Sequence, residues 1–281
     1  MSLSPSEQIC FIGAGSMAEA IIRGLIEQKT ALPSQICVVN RQNRDRLAEL
    51  HDRYGIAAPQ AEEDKLNAVQ QADVIVLAMK PKDASAAIRD IGKLFKEKQL
   101  IVSVIAGLSI RTIANLMEAK PPIVRTMPNT SSTIGEGVTG ISFSAHVTEE
   151  QRQTALSIFN SIGITATVEE HQLDLITGVS GSGPAYIYYM MEAMIEAAVE
   201  GGLSEETAKR LVTQTVLGAA QMVKTTGEDP AVLREKVTSP NGTTEAALKL
   251  MAENGFPRIV NQAVKRAALR AAEIGKSLEQ G

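Results

Sequence analysis

One segment near the start of the chain, ICFIGAGSMAEAIIRGL from Ile9 to Leu25, restricts the possible folds more than any other. It reads as a short buried strand, a tight glycine turn and a helix. Gly13, Gly15 and Ala18 give the turn the pattern G-x-G-x-x-A, one form of the dinucleotide-binding fingerprint. Gly13 permits the tight turn, and Gly15 lets a pyrophosphate approach the backbone near the free N–H groups of the helix start. We predict a dinucleotide site; the alternative is a plain glycine turn between a strand and a helix.

Strands and helices alternate after this segment as far as Val168. Strands are predicted at residues 36–39, 55–58, 73–79, 100–105, 123–129, 140–143 and 164–168, and helices at 62–71 and 148–161. This alternation predicts an α/β, Rossmann-type, doubly wound domain over residues 1–168. From residue 169 no convincing strand follows, and apolar residues recur with helical spacing at 172–200, 205–224, 231–237, 244–252 and 257–275. The second domain, residues 169–281, is therefore predicted to be all-helical.

The helical segment from Ala185 to Val199 carries apolar residues on nearly every side. A helix that is apolar all round must be buried all round. A small domain with few helices can bury it against a second copy, so we predict that the helical domain forms an intertwined homodimer. The alternative is a central helix that is covered only by its own domain.

Composition and charge exclude several classes of function. The chain has 281 residues and a net charge of −4 without a strongly basic block, which argues against nucleic acid as a partner. No apolar run is long enough to span a membrane, and no signal peptide precedes the first strand, so we expect a cytoplasmic protein. Cys10 and Cys37 lie in predicted strands and read as buried apolar residues in a reducing compartment. The three histidines are scattered, and no Cys/His cluster has metal-binding spacing, so no metal is expected.

The end of the second strand bears on the choice of nucleotide. An NAD site usually carries Asp or Glu there, but this chain has Asn40 and Arg41, with Arg44 one helical turn further on. A carboxylate would repel a 2′-phosphate, whereas a guanidinium would bind one through paired hydrogen bonds. NADPH is therefore favoured over NADH. The alternative for either arginine is an ordinary solvated surface residue.

Other cofactor contacts are expected where strands end, because an open α/β sheet binds its ligand beyond the carboxyl ends of its strands. The predicted cofactor-binding residues are Ile12, Gly13, Ala14, Gly15, Ser16, Met17, Asn40, Arg41, Ala78, Met79, Lys80, Pro81, Ala106 and Gly107.

Two patches of small and polar residues interrupt the helical domain, SGSGPAY at 180–186 and TSPNGTT at 238–244. The second combines hydroxyl groups, a turn and the start of a helix, which suits a carboxylate ligand. The alternative is a helix cap alone, made by Thr243 or Thr244 with Glu245 following. The residues by themselves thus indicate an NADP-dependent oxidoreductase that acts on a small anion.

Five motifs together resemble the pyrroline-5-carboxylate reductase family. They are FIGAGSMAEAIIRGL, AMKP at 78–81, RTMPNT at 125–130, GSGPAY at 181–186 and TSPNGTT at 238–244. The similarity runs from about Ile9 to Ala272, and its last two motifs are specific to the family. It implies hydride transfer from NADPH to the C=N bond of 1-pyrroline-5-carboxylate, which gives proline. It also implies intertwined dimers, which in some members stack as five dimers into a decamer.

The resemblance also assigns residues to the substrate. Ser239, Thr243 and Thr244, with the backbone of Asn241 and Gly242, are expected to hold the substrate carboxylate. Thr244 matches the position proposed to hydrogen-bond the ring nitrogen, as an orienting group or proton relay rather than a strong acid. The family usually has glycine where this chain has Asn241, a residue that tolerates positive φ.

Two other functions share part of this sequence pattern. A 3-hydroxyacid dehydrogenase has a similar two-domain plan, but it usually needs a lysine early in the helix after the G-S-G segment. Residues 184–193 contain none. A non-catalytic NADP(H)-binding protein would keep the glycine turn without needing TSPNGTT.

Overall fold

The computed structural model describes residues 3–4 and 6–279. Its sheet has seven strands in the order β2-β1-β3-β4-β5-β6-β7. The strands are β1 (Ile9–Ile12), β2 (Ile36–Val39), β3 (Val74–Leu77), β4 (Leu100–Ser103), β5 (Ile123–Met127), β6 (Gly137–Phe143) and β7 (Gly163–Thr167). The first five run parallel, whereas β6 is antiparallel to β5 and parallel to β7. The predicted α/β Rossmann-type fold is confirmed.

Helices follow most of the strands. They are α1 (Ser16–Glu27), α2 (Arg44–Tyr54), α3 (Glu62–Gln71), α4 (Pro81–Ile91), α5 (Ile110–Asn115) and α6 (Glu149–Asn160), then α7 (Leu173–Ile176), α8 (Gly183–Glu200), α9 (Glu205–Thr226), α10 (Pro230–Lys236), α11 (Thr243–Glu253) and α12 (Phe256–Glu279). The central strands β1 and β3 are buried along their whole length, which is typical of a sheet covered on both faces. The helical second domain is confirmed.

One predicted strand is wrong. Residues 55–58 form only a single bridge, from Ala57 to Cys37 of β2, and no strand. The segment is short and follows the αL residue Gly55, which ends α2. It has room for one paired residue before the chain turns toward α3.

The helix predicted from residue 172 to 200 is interrupted. A π-helical turn at Thr177–Gly181 separates α7 from α8, and the side chains of Leu173 and Ile176 pack over Gly140 of β6. Insertions of this kind occur frequently at functional sites in helices.

The chain divides into two compact units. The first contains residues 1–182 and 265–281, and the second contains residues 183–264. The sheet ends with β7, next to the predicted domain boundary at residue 168, but α7 and the C-terminal part of α12 belong to the first unit. The boundary at residue 168 therefore stays a prediction. No helix among the described residues is both long and apolar enough to cross a membrane.

Candidate functional site

The glycine turn joins the ends of three strands. Gly13 has a φ of +115°, and its N–H donates to the carbonyl oxygen of Val39 at 2.9 Å. The N–H of Ala78 donates to the carbonyl oxygen of Ile12, also at 2.9 Å. A Cβ atom at Gly13 would lie 2.4 Å from the carbonyl oxygen of Ala78, so only glycine fits. The carboxyl ends of β1, β2 and β3 thus meet at one edge of the sheet, as predicted for a nucleotide site.

The start of α1 at this edge has no side-chain cap. The helix begins at Ser16, and its cap residue Gly15 is extended and supplies no side chain to the first-turn N–H groups. A Cβ atom at Gly15 would approach only the carbonyl oxygen of Ala78, at 4.0 Å, so the surface above the turn is open. Unpaired N–H groups and the positive end of the helix dipole favour a phosphate. These residues fit the pyrophosphate of a dinucleotide.

Two arginines follow β2 with their charges uncompensated. The Asn40 side chain accepts hydrogen bonds from the N–H groups of Gln42 and Asn43, both at 3.1 Å, and so fixes the turn. Arg41 in this turn and Arg44 at the start of α2 are both exposed. Neither forms an ion pair with any residue that the structure describes. The end of β2 and the start of α2 therefore present two guanidinium groups that have no ion-pair partner among the described residues.

Arg46, in contrast, is bonded to other residues of the protein. It pairs with Glu49 at 2.7 Å and with Glu19 of α1, and its Nε donates to the carbonyl oxygen of Ala14 at 3.1 Å. Glu19 also accepts from Arg53 at 2.6 Å and from the Tyr54 hydroxyl at 3.0 Å. Partial burial works to raise the pKa of Glu19, but the hydrogen bonds and positive charges of its partners outweigh it and leave that pKa lowered. This network attaches α2 to the glycine turn.

The remaining predicted cofactor residues lie at the ends of β3 and β4. Lys80 precedes α4 in an extended conformation, and Pro81 is the first residue of that helix. Gly107 has a φ of +80°, and a Cβ atom there would lie 3.0 Å from the backbone nitrogen of Gly275 in α12. The backbone of Gly107 thus packs on the last helix. The role of Ala106 and Gly107 in cofactor binding stays a prediction.

A polar bridge that the sequence did not predict lies beyond β5. Asn129 is buried; its amide nitrogen donates to the carbonyl oxygen of Ser180 in the π-helical turn at 3.1 Å, and its oxygen accepts from the N–H of Val138 at 3.2 Å. Nearby, buried Arg125 pairs with Glu170 at 3.4 Å and Asp174 at 3.0 Å. The motifs RTMPNT and GSGPAY were the available signal, but their pairing needs the fold.

The TSPNGTT segment forms a tight turn in the second unit. The N–H of Gly242 donates to the carbonyl oxygen of Ser239 at 3.0 Å, and Asn241 has a φ of +59°, so the asparagine adopts the left-handed conformation. The N–H of Asn241 donates to the Glu245 carboxylate at 2.6 Å.

The start of α11 is open to a ligand. The helix begins at Thr243 and its cap residue is Gly242, which has no side chain. The alternative prediction, a cap made by Thr243 or Thr244, is therefore wrong, because both residues lie inside the helix. Ser239 and Thr243 are exposed and Thr244 is half-buried. The start of α11 thus combines hydroxyl groups with first-turn N–H groups that have no side-chain cap. Donors of this kind are suited to binding a carboxylate.

Two family models match separate parts of the chain. Residues 8–107 match the model described as "NADP oxidoreductase coenzyme F420-dependent", and residues 170–274 match "Pyrroline-5-carboxylate reductase dimerisation". The first match contains the glycine turn, and the second contains the TSPNGTT turn.

Individual relatives match nearly the whole chain. Pyrroline-5-carboxylate reductase 1 of Bacillus spizizenii is 42% identical over 274 residues, which cover 98% of this chain and 91% of the relative. The solved structure of a pyrroline-5-carboxylate reductase from Coxiella burnetii has a TM-score of 0.87 at 37% identity, covering 96% of this chain and 98% of the other. A pyrroline carboxylate reductase of Plasmodium falciparum, solved with NADP bound, has a TM-score of 0.85 at 28% identity and covers 97% and 100%. This chain belongs to the pyrroline-5-carboxylate reductase family.

Proposed function

We propose that this protein reduces 1-pyrroline-5-carboxylate to L-proline with NADPH, the last step of proline biosynthesis. The observation that carries the proposal is the open start of α11. Gly242 leaves the first N–H groups without a side-chain cap, beside the hydroxyl groups of Ser239 and Thr243. The substrate is a small cyclic imine with one carboxylate, and this turn offers donors for that carboxylate without a buried counter-charge.

In this proposal the chain's own residues bind and orient the cofactor and the substrate. Ile12–Met17 would hold the pyrophosphate, and the ends of β3 and β4, at residues 78–81 and 106–107, would border the rest of the dinucleotide. When bound, NADPH supplies the hydride for the imine carbon. Thr244 would orient the ring nitrogen through its hydroxyl group and relay a proton to it. The imine can enter protonated, so the site does not need a strong acid, and positioning accounts for most of the catalysis.

Arg41 and Arg44 support the preference for NADPH over NADH. Both are exposed at the end of β2, without an ion-pair partner among the residues that the structure describes. A 2′-phosphate would gain charge-assisted hydrogen bonds from them, whereas the 2′-hydroxyl of NADH would gain little.

The helical domain supports a homodimer, with a decamer of five dimers as the larger assembly. The structure describes α8 in full and shows none of its residues as buried in the single chain. Large apolar side chains such as Ile187, Tyr188 and Tyr189 are exposed on it. Apolar surface of this extent is typical of an interface between subunits. We also infer a cytoplasmic location, consistent with a biosynthetic reductase.

The two alternative functions are not favoured. A 3-hydroxyacid dehydrogenase would need a lysine early in α8, and residues 184–193 contain none. A non-catalytic NADP(H)-binding protein would have no use for the open turn before α11.

The test is an assay of reduced-nicotinamide oxidation with four combinations of reactants. The imine is supplied with NADPH and with NADH, and a 3-keto acid is supplied with each cofactor as the control. We expect oxidation with the imine, faster with NADPH, and none with the keto acid. Measurable NADPH binding without imine turnover would refute the proposed substrate, and turnover with the keto acid would favour the dehydrogenase.

A further inference from the structure

The two cysteines of the chain stand opposite one another in the sheet. Cys10 of β1 and Cys37 of β2 are paired positions in the parallel register, so their side chains point to the same face. Both pack in the core cluster that contains Ile12 and Ile75. Neighbouring strands lie about 4.8 Å apart, which is within the Cα separation of roughly 4.4–6.8 Å that a disulfide spans. The chain has no other cysteine.

An open cavity gives reagents access to this pair. It has a volume of about 670 Å³ and is lined by both cysteines, by Ala48 and His51 of α2 and by Ala68 of α3. Cys10 is fully buried, whereas Cys37 is half-buried. The residues of β1 and β2 that line the cavity are Ile9, Cys10 and Cys37, in the amino-terminal halves of these strands. None of the residues proposed to bind the nucleotide lines the cavity.

We propose that Cys10 and Cys37 form a dithiol site that hydrogen peroxide converts into a disulfide between β1 and β2. The proposal does not depend on the proposed reductase activity. Its chemistry requires one accessible thiolate and one resolving thiol beside it. The register places the two thiols side by side, and the cavity leaves Cys37 partly exposed.

The two thiols differ in reactivity. A hydrogen bond from Cys10 lowers the pKa of Cys37, while the same contact and burial raise the pKa of Cys10. Cys37 is also the more exposed of the two. It is therefore the attacking group, and Cys10 is the resolving group.

The reaction balances with one peroxide. The Cys37 thiolate attacks one peroxide oxygen, the O–O bond breaks, and hydroxide leaves and takes up the proton that the Cys37 thiol had lost. Cys37 is then a sulfenic acid. The Cys10 sulfur attacks the Cys37 sulfur, the S–O bond breaks, and the hydroxyl group leaves with the Cys10 proton as water. The two thiols lose two electrons and the peroxide becomes two water molecules.

The experiment is thiol counting by intact mass on the full chain. The protein is treated with hydrogen peroxide, freed of excess reagent, unfolded and alkylated. We expect the untreated chain to take two alkyl groups, and the treated chain to take none and to be about 2 Da lighter. Peptide mapping should recover the linked Cys10 and Cys37 peptides from a chain that has no disulfide to another chain.

Single variants separate the two roles. In Cys10→Ser the reaction should stop at a sulfenic acid on Cys37, which dimedone traps. In Cys37→Ser the buried Cys10 should remain alkylatable after treatment. In the native wild-type protein, Cys37 should be labelled at least about tenfold faster than Cys10.

Three results would overturn the proposal, and each can be obtained with the wild-type chain alone. They are two alkyl groups after peroxide, added oxygen atoms without loss of two hydrogens, and disulfides only between chains. Faster labelling of Cys10 than of Cys37 would overturn the assigned order of attack.

Discussion

The side-chain amide of Asn129 donates to the carbonyl oxygen of Ser180 at 3.1 Å and joins the loop after β5 to the π-helical turn before α8. The same side chain accepts from the N–H of Val138 in β6. One buried side chain therefore connects three segments that are far apart in the sequence.

Replacing Asn129 with alanine should destabilise the protein by about 2–3 kcal/mol, because the Ser180 carbonyl and the Val138 N–H each lose a buried partner. Urea unfolding measures the change. Asn160→Ala is the matched control, since the exposed side chain of Asn160 bonds only to Thr165 among the residues that the structure describes. This variant should cost less than about 1 kcal/mol. Equal costs for the two variants would contradict the bridging role of Asn129.

Gly13→Ala should weaken NADPH binding by at least about tenfold and destabilise the fold by about 2–3 kcal/mol. The added Cβ atom would lie 2.4 Å from the Ala78 carbonyl oxygen, at a φ of +115°. Gly135→Ala is the control, because Gly135 has a φ of +78° but no atom within 4 Å of an added Cβ. Gly135→Ala should cost only about 1 kcal/mol of stability and leave NADPH binding unchanged.

Nucleotide titration measures the change in NADPH affinity, and thermal unfolding measures the change in stability. Unchanged NADPH affinity in Gly13→Ala would remove the turn from the site.

Arg41→Asp should lower the ratio of kcat/KM for NADPH to that for NADH by at least about tenfold, because a carboxylate would repel the 2′-phosphate. Lys120→Asp makes the same change of charge on an exposed residue before the amino end of β5, and should leave the ratio as it was. An unchanged ratio in Arg41→Asp would exclude a role for Arg41 in recognising the phosphate.

Glu19→Gln should cost about 1–2 kcal/mol of stability at neutral pH, because the charged, half-buried side chain accepts from Arg46, Arg53 and Tyr54. The folded state lowers the pKa of Glu19, so its stabilising effect is present above the ordinary pKa and is lost as the pH falls through the lowered one. The unfolding free energies of wild type and Glu19→Gln should therefore become equal in acid.

Urea unfolding of wild type and Glu19→Gln across a pH series measures this difference. Glu205→Gln is the control, because Glu205 pairs with Lys209 on the exposed surface of α9 and should show no measurable effect. A difference between wild type and Glu19→Gln that persists unchanged below the lowered pKa would contradict the charge-based account.

Thr244→Ala should lower kcat by about tenfold to a hundredfold with little change in the unfolding midpoint, because the methyl group cannot orient the ring nitrogen. Thr215→Ala, in the exposed surface of α9, is the control and should retain wild-type turnover. A Thr244→Ala enzyme at the wild-type rate would place the proton relay elsewhere.

Local patterns predicted much of the fold. Residues 62–71 form α3 with the predicted bounds, since three acidic residues open the helix and apolar residues recur with helical spacing. The first strand, its glycine turn and α1 also follow the prediction, because each step has its own local cause. The single bridge at Ala57 shows the limit: strand-forming residues need a partner over several positions before a strand forms.

Long-range relationships could not be predicted in this way. Nothing in the sequence near β6 shows that it runs antiparallel to β5, because strand direction is set by the path of the whole chain. The bridge from Asn129 to Ser180 and the pairing of Cys10 with Cys37 are likewise products of register. Gly242 as the cap of α11 was missed because two threonines with better capping chemistry follow it.

The contact between Gly107 and Gly275 has a consequence for synthesis of the protein. A Cβ atom at Gly275 would lie 2.6 Å from the Gly107 carbonyl oxygen, and the Ser85 hydroxyl group bonds to the Leu278 carbonyl oxygen at 3.5 Å. The unit that contains the glycine turn thus also contains the C-terminal part of α12. A ribosome makes residues 85 and 107 well before residues 275 and 278, so the nascent nucleotide-binding unit lacks part of its packing until α12 has emerged.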